Sequence, residues 1–228
     1  MSEQSLIESD AVIKQVATQE CKPALGIRKI GILGGSFNPI HNAHLRLALA
    51  AWQFLDLDQV HLMPAGQPWQ KQALQVSAEN RLAMLRLATQ DTPQLLINTM
   101  EIERDGLTYT IDTLKELPPD AKYFWLMGSD QLNNFCTWNA WQEILDYVQL
   151  VVVQRPGYQP QVPPELQDEL RQKNKHLIMM PFDELDISSS EIRQKLSNKQ
   201  DVSTLVPAAV LDYIKEHNLY RDKASNKN

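Results

Sequence analysis

Short apolar segments alternate with amphipathic segments along most of this chain, and this alternation limits the possible folds more than any other feature. The apolar segments predict strands at residues 29–33, 59–63, 95–99, 123–127, 148–153 and 177–180, and the amphipathic ones predict helices at 42–55, 77–89, 109–116, 138–145, 188–196 and 207–217. Strands that alternate with helices are joined by crossovers, which give a parallel sheet covered on both faces. The sequence therefore predicts an α/β fold with a Rossmann-like, doubly wound parallel sheet that binds ligands at the carboxyl ends of its strands.

The two ends of the chain are expected to lie outside this core. Pro23 and Gly26 interrupt the segment before the first strand, so we interpret residues 1–27 as an N-terminal extension. Residues 28–223 form the predicted domain, and their number suits a single domain. Residues 224–228 are expected to be a frayed tail.

Composition excludes several classes of protein. With 43% hydrophobic residues, 22% charged residues and a net charge of −6, the chain has enough apolar residues for a core and lacks the basic character of nucleic-acid-binding proteins. Cys21 and Cys136 lie far apart, so neither a disulfide framework nor a thiolate zinc site is expected. No apolar run reaches the roughly 18 residues of a membrane span, and no signal peptide is visible. We expect a cytoplasmic protein that binds small molecules, not nucleic acid or membrane, as a monomer or homo-oligomer.

The segment after the first strand carries the strongest chemical signal. The strand ends in Gly34-Gly35, and a loop then leads into a helix whose first turn contains His41 and His44. The glycines allow a tight turn with exposed N–H groups, and the helix start adds unsatisfied donors and the positive end of the helix dipole. The two imidazoles lie three residues apart on one side of this turn, and each can become cationic. This combination suits a polyphosphate.

Other interpretations of this loop are open. No Gly-Lys-Ser/Thr follows, so the loop is not a Walker A motif, and Gly-x-Gly-x-x-Gly of a dinucleotide site is absent. Two histidines at this spacing could bind a metal ion, although no third ligand lies nearby. They could also be a surface pair without a role.

Two segments resemble signatures of the nucleotidyltransferase superfamily. Residues 34–45 are similar to its GxFxPxHxGH motif, and residues 187–193, which read Ile-Ser-Ser-Ser-Glu-Ile-Arg, are similar to ISSTxIR. Between them, residues 108–114 resemble the SYTxxTL segment of bacterial nicotinate-nucleotide adenylyltransferases, residues 128–141 resemble their GxD…F..W..W segment, and residues 155–157 match their Arg-Pro-Gly turn. The resemblance implies a nucleotidyltransferase-type fold. It also implies a step of NAD biosynthesis, in which ATP and nicotinate mononucleotide give deamido-NAD and pyrophosphate.

The resemblance also assigns roles to residues. His41, His44 and Arg193 would be catalytic. The implied ATP-binding residues are Gly34, Gly35, Ser36, Phe37, His41, His44, Asp130, Ser188, Ser189 and Arg193, and those for nicotinate mononucleotide are Ser36, Lys71, Thr110, Trp138 and Arg155. A phosphate monoester is an adequate nucleophile, so in-line attack would need no covalent enzyme intermediate, and catalysis would rest on positioning and charge stabilisation. Mg²⁺ would bridge the leaving phosphates, mostly through water, with no dedicated metal site in the protein.

Several of these residues have a purely structural interpretation as well. Ser188 and Glu191 could form a capping box, and Asp130 could be an N-cap after a strand. Trp138 could be a core residue, and Lys71 an ordinary solvated lysine.

The chain departs from the family pattern at three positions: Ala43 replaces a glycine, Asn38 replaces an aspartate, and Gln70 stands where a histidine usually contacts acceptor phosphate. Because Gln70 changes the acceptor side, two further enzymes remain as alternatives, with nicotinamide mononucleotide or phosphopantetheine as the acceptor. A nucleotide sensor without turnover is a third alternative.

Overall fold

The computed structural model describes residues 26–68, 75–104, 106–154, 160–183 and 187–221. The proposed tail at 224–228 and all but the last two residues of the proposed N-terminal extension lie outside these ranges. The main sheet contains β1 (Arg28–Gly35), β2 (Gln59–Pro64), β4 (Leu95–Ile97), β6 (Ala121–Gly128), β7 (Val148–Gln154) and β8 (Ile178–Pro181). The helices are α1 (Asn42–Phe54), α2 (Ala78–Thr89), α3 (Met100–Glu103), α4 (Thr110–Glu116), α5 (Ser129–Asn134), α6 (Trp141–Tyr147), α7 (Pro164–Gln172), α8 (Ser189–Ser197) and α9 (Ala208–Glu216).

The six strands of the main sheet are all parallel, in the order β4-β2-β1-β6-β7-β8. The chain first moves outward on one side of β1 and then returns to build the other side from β6. The strand order therefore reverses between β1 and β6, and a crevice opens at the carboxyl ends of these two strands. The predicted doubly wound sheet is confirmed, and Gly34-Gly35 and Gly128 both lie at the crevice.

Two apolar cores cover the two faces of the sheet, because successive strand residues point to opposite sides. On β6, Phe124 and Leu126 face one core, whereas Tyr123, Trp125 and Met127 face the other. The first core is completed by α1, α2, α8 and α9, and the second by α4, α5, α6 and α7. The prediction that the sheet is covered on both faces is confirmed.

A second, two-stranded parallel sheet lies beside the main one. It pairs β3 (Gln67–Pro68) with β5 (Leu107–Thr108) and joins the segment after β2 to the segment before α4. Gly66 lets the chain before β3 pass close to α3, because a Cβ at this position would lie 2.0 Å from the carbonyl oxygen of Glu101. Only glycine fits so close to another backbone.

The sequence predictions of local structure differ from the structure at several places. Helices α3 and α5 and the strands β3 and β5 were not predicted. Trp138 was placed in a helix, but it lies in extended conformation after a 3₁₀-helix (Phe135–Thr137), and α6 begins only at Trp141. Helix α7 was not predicted, because its apolar side rests on Leu166 and Leu170 alone within a polar segment.

Candidate active site

The loop that follows β1 is buried and tightly turned. Residues 36–41, called the 36–41 loop below, link the strand to α1 at the crevice. Phe37 is 1% exposed and has φ 43°, a left-handed conformation that is uncommon for a residue other than glycine. Asn38 is 2% exposed. Such a conformation persists only when the surrounding structure enforces it, and it is concentrated at functional sites.

The two histidines form a stacked pair at the start of α1. Their ring centroids lie 3.6 Å apart with an interplanar angle of 23°, and the Phe37 ring packs edge-on against His44 at 5.0 Å. The backbone N–H of His41 donates to Nδ1 of His44 at 3.3 Å. An accepting Nδ1 carries no hydrogen, so the neutral His44 ring has its hydrogen on Nε2. His44 can therefore donate a hydrogen bond from Nε2.

Burial determines the charge of the His41 ring. His41 is 4% exposed, and burial lowers its pKa from the ordinary 6.5 to about 4. Without an anion beside it, His41 is therefore neutral near pH 7. Its Nδ1 is buried and has no hydrogen-bond partner among the residues that the structure describes. An anionic ligand beside the ring would raise this pKa, as expected of an imidazole that becomes cationic against phosphate.

The start of α8 contacts the same loop. Arg193 donates from Nη1 to the carbonyl oxygen of Asn38 at 2.8 Å and from Nη2 to Oγ of Ser190 at 3.0 Å. Ser189 donates from Oγ to the carbonyl oxygen of Pro39 at 3.0 Å. The two segments that resemble the superfamily signatures are therefore joined by direct hydrogen bonds, although they lie far apart in sequence.

Ser188 is the N-cap of α8, and its Oγ accepts from the backbone N–H of Glu191 at 3.1 Å. Glu191 does not complete the suggested capping box, because its carboxylate pairs with Nζ of Lys195 at 2.8 Å. The other N–H groups of the first turn have no intrahelical acceptor. They and the helix dipole make this helix start suitable for an anion.

Asp130 lies across the crevice, in the first turn of α5 directly after β6. It is exposed, and the N-cap of this helix is Gly128, so the interpretation of Asp130 as an N-cap is wrong. A carboxylate at this position is accessible to a ligand in the crevice.

The residues expected to contact the acceptor are only partly described. Thr110 is the first residue of α4, where helix N–H groups lack intrahelical partners. The Trp138 side chain is half-buried, and its ring centroid lies 6.1 Å from that of Trp125 and 5.4 Å from that of Phe135. Trp138 therefore does contribute to the core. The backbone N–H of Trp138 already donates to Phe135 at 3.0 Å, and it is therefore a poor candidate for binding a carboxylate. Lys71, Gln70 and Arg155 lie outside the described residues.

Comparison with known proteins identifies the family. A cytidylyltransferase-like family model matches residues 32–195. A Bordetella avium (strain 197N) protein named "probable nicotinate-nucleotide adenylyltransferase" is 48% identical over 195 residues, which cover 86% of this chain and 99% of the relative. A Dehalococcoides mccartyi (strain CBDB1) protein of the same name is 43% identical over 197 residues, which cover 84% of this chain and 97% of the relative. This chain belongs to the nicotinate-nucleotide adenylyltransferase family.

Solved structures agree with the family in fold. Plasmodium falciparum nicotinic acid mononucleotide adenylyltransferase complexed with NaAD has a TM-score of 0.67 and 20% identity, with 85% of this chain and 97% of that chain covered. The same protein complexed with APC has a TM-score of 0.65 and 21% identity. These similarities confirm the nucleotidyltransferase-type α/β fold.

The sequence did not predict a role at this site for three buried polar residues of this adenylyltransferase. Arg81 in α2 is 1% exposed and donates from Nη1 to the carbonyl oxygen of Ser36 at 2.9 Å. The hydroxyl of Tyr220 donates to Oδ1 of Asn38 at 2.7 Å, and Glu101 is buried behind α4. Arg81 had a usable signal, because it shares a helix face with Met84 and Leu85, which are buried.

Proposed function

We propose that this protein transfers the adenylyl group of ATP to nicotinate mononucleotide, giving deamido-NAD and pyrophosphate in NAD biosynthesis. The observation that carries the proposal is the stacked His41–His44 pair at the crevice, hydrogen-bonded through its loop to Arg193. Family membership supports the choice of reaction, because the relatives bear the name of this enzyme.

The reaction needs little covalent chemistry from the protein. A phosphate oxygen of the acceptor attacks the α-phosphorus of ATP in line and forms the new P–O bond. The bond from the α-phosphorus to the oxygen that bridges the α- and β-phosphates breaks, and this oxygen leaves with pyrophosphate. Negative charge then increases on the transferring phosphoryl group and on the leaving group. Preorganised donors aimed at these oxygens lower the barrier, and this is the main contribution expected of the protein.

Each donor has a place in this scheme. His44 would donate from Nε2 to an α-phosphate oxygen, and His41, which stacks on His44, would bind the phosphate chain beside it. Arg193 and the N–H groups after Ser188 would bind the β- and γ-phosphates of the leaving side. The backbone would approach the nucleotide closely at Gly34, Gly35, Ser36 and Phe37, and Ser189 would support this segment. Asp130 would hold ribose hydroxyls.

Magnesium would arrive with ATP. Within the described ranges, no group of three or more His, Cys, Asp and Glu side chains could hold a metal ion. Mg²⁺ retains several waters and commonly binds substrate phosphates, so these residues fit an ion held mainly by the polyphosphate. When bound, it neutralises charge on the leaving pyrophosphate.

The acceptor would lie on the other side of the crevice. Trp138 presents a half-buried indole on which a nicotinate ring would stack. The N–H groups at Thr110 would bind the nicotinate carboxylate, and an anion suits a helix start better than a neutral amide does. By resemblance, Ser36, Lys71 and Arg155 would complete the binding of the acceptor.

In the described part of the chain, no helix is long and apolar enough to cross a membrane.

Pyrophosphate release from MgATP tests the proposal, with nicotinate mononucleotide, nicotinamide mononucleotide and phosphopantetheine supplied in separate reactions. We expect fast release with nicotinate mononucleotide and much slower release with the others. Faster release with another acceptor would overturn the assignment of the acceptor. Binding of MgATP without release in any reaction would indicate a sensor.

A further inference from the structure

A tyrosine near the end of the described chain is hydrogen-bonded to the 36–41 loop. Tyr220 is 7% exposed, and its hydroxyl donates to Oδ1 of Asn38 at 2.7 Å in a buried contact between residues 182 positions apart. Burial raises the pKa of Tyr220 above its ordinary value, while the guanidinium groups of Arg193 and Arg81 act in the opposite direction. The hydroxyl therefore stays protonated and donates throughout the neutral range.

The loop is held at neighbouring positions from separate parts of the fold. Arg81 of α2 binds the Ser36 carbonyl oxygen, and Arg193 of α8 binds the Asn38 carbonyl oxygen. Tyr220 binds the Asn38 side chain, so Asn38 is held at both its backbone and its amide. Buried hydrogen bonds of this kind fix one geometry, because each polar group loses its partner if the loop moves.

This loop determines where the two histidines stand. It runs directly into His41, which is the N-cap of α1, and it includes Phe37 with its left-handed backbone. We propose that Tyr220 is a positioning residue, an inference that rests on the proposed adenylyl transfer. Its bond to Asn38 keeps the 36–41 loop, and with it His41 and His44, in the geometry that the transition state requires. Tyr220 acts through Asn38. A displacement of about 1 Å in such a site costs on the order of a hundredfold in rate.

Tyr220→Phe tests this inference, with Tyr213→Phe as a matched control. Tyr213 also donates its hydroxyl to an asparagine, Oδ1 of Asn80 at 2.8 Å, but this bond joins α9 to α2 and does not involve a residue of the loop. We expect Tyr220→Phe to lower kcat about tenfold or more while the KM for nicotinate mononucleotide stays within about twofold. Tyr213→Phe should keep the wild-type kcat. A wild-type kcat in folded Tyr220→Phe would overturn the proposal.

A double-mutant cycle on kcat separates positioning from general weakening of the fold. Because Tyr220 is proposed to act through the loop that leads to the histidines, its replacement should cost much less in a His44→Ala background than in the wild type. Equal losses in both backgrounds would overturn the proposal.

A binding measurement distinguishes this inference from the proposed function. If the wild type releases no pyrophosphate with any acceptor, the proposed function fails, but titration calorimetry with MgATP still tests the loop. Weaker MgATP binding by Tyr220→Phe alone would then support the positioning role, and unchanged binding by both tyrosine variants would refute it.

Discussion

The two sides of the crevice are built in different ways. The nucleotide side, meaning the 36–41 loop, His44 and the start of α8, is held by side-chain hydrogen bonds from Arg81, Arg193 and Tyr220. The acceptor side, meaning the start of α4 and the Trp138 ring, offers a helix start and an aromatic surface instead. It is supported from behind by a chain of bonds in which Arg104 donates to Thr113 at 3.0 Å and Thr113 donates to Glu101 at 3.4 Å.

The difference predicts how each side responds to mutation. Charge develops on the transferring phosphoryl group only as the reaction proceeds, so donors to this group act mainly in the transition state. The pyridine ring of the acceptor is bound in much the same way before and during the reaction. Loss of a donor to the transferring phosphoryl group should therefore lower kcat. Changes on the acceptor side should mainly raise KM, and so should changes at the start of α8, which would bind the β- and γ-phosphates before the reaction as well.

His44→Ala should have the largest effect. Removing the donor at Nε2 should lower kcat by about 10²–10³, as loss of one preorganised donor does elsewhere, with little change in the unfolding midpoint. Steady-state pyrophosphate release and thermal unfolding measure the two quantities. His217→Ala is the control, since His217 is an exposed histidine that stacks on Tyr213 and should be dispensable. Normal turnover by His44→Ala would remove the central assignment of the site.

Glu101→Gln tests the acid that supports the acceptor side. Burial raises the pKa of Glu101 from 4.5 to about 7, against the lowering effects of Thr113 and Arg104. The unfolded carboxyl loses its proton near pH 4.5 and the folded one near 7, so its contribution to stability is full at low pH and declines as pH rises through this window. Glutamine cannot ionise. The stability of Glu101→Gln relative to wild type should thus increase by up to about 2.5 kcal/mol between pH 5 and pH 8.

Urea unfolding at the two pH values measures this change. Glu116→Gln is a suitable control, because Glu116 pairs with Arg104 at 2.8 Å but is exposed. Its relative stability should hardly depend on pH in this range. If Glu101→Gln also shows no pH dependence, the carboxyl of Glu101 is not a buried acid.

The sequence predicted the sheet well because apolar strands and amphipathic helices leave a periodic pattern that depends only on local residues. It predicted the 36–41 loop for the same reason, since glycine, proline and histidine act there within one short segment. Tyr220 could not be predicted, because its role depends on a contact with Asn38, 182 positions away, which only the fold creates. Trp138 was misplaced because a 3₁₀-helix and an extended residue interrupt an apolar pattern that resembles one helix.

Trp138→Ala probes the aromatic surface of the acceptor side. Loss of the stacking surface should raise the KM for nicotinate mononucleotide about tenfold and leave kcat within a few-fold, since stacking is present before and during the reaction. Trp141→Ala is the matched control, because Trp141 also packs against Phe135, at 6.0 Å, and its loss removes similar packing. If both variants raise KM equally, the effect comes from the core and not from a contact with substrate.

Ser188→Ala should have the smallest effect and tests whether the start of α8 binds an anion. Loss of the N-cap should lower the free energy of unfolding by about 1 kcal/mol. Ser77→Ala removes the corresponding cap of α2, where the backbone N–H of Asn80 donates to Oγ of Ser77 at 3.4 Å. Both variants should lose similar stability in urea unfolding. Only Ser188→Ala should also raise the KM for ATP, by a few-fold, because the start of α8, and not that of α2, is proposed to bind the β- and γ-phosphates. An equal KM for ATP in the two variants would mean that the N-cap of α8 stabilises the helix without contributing to nucleotide binding.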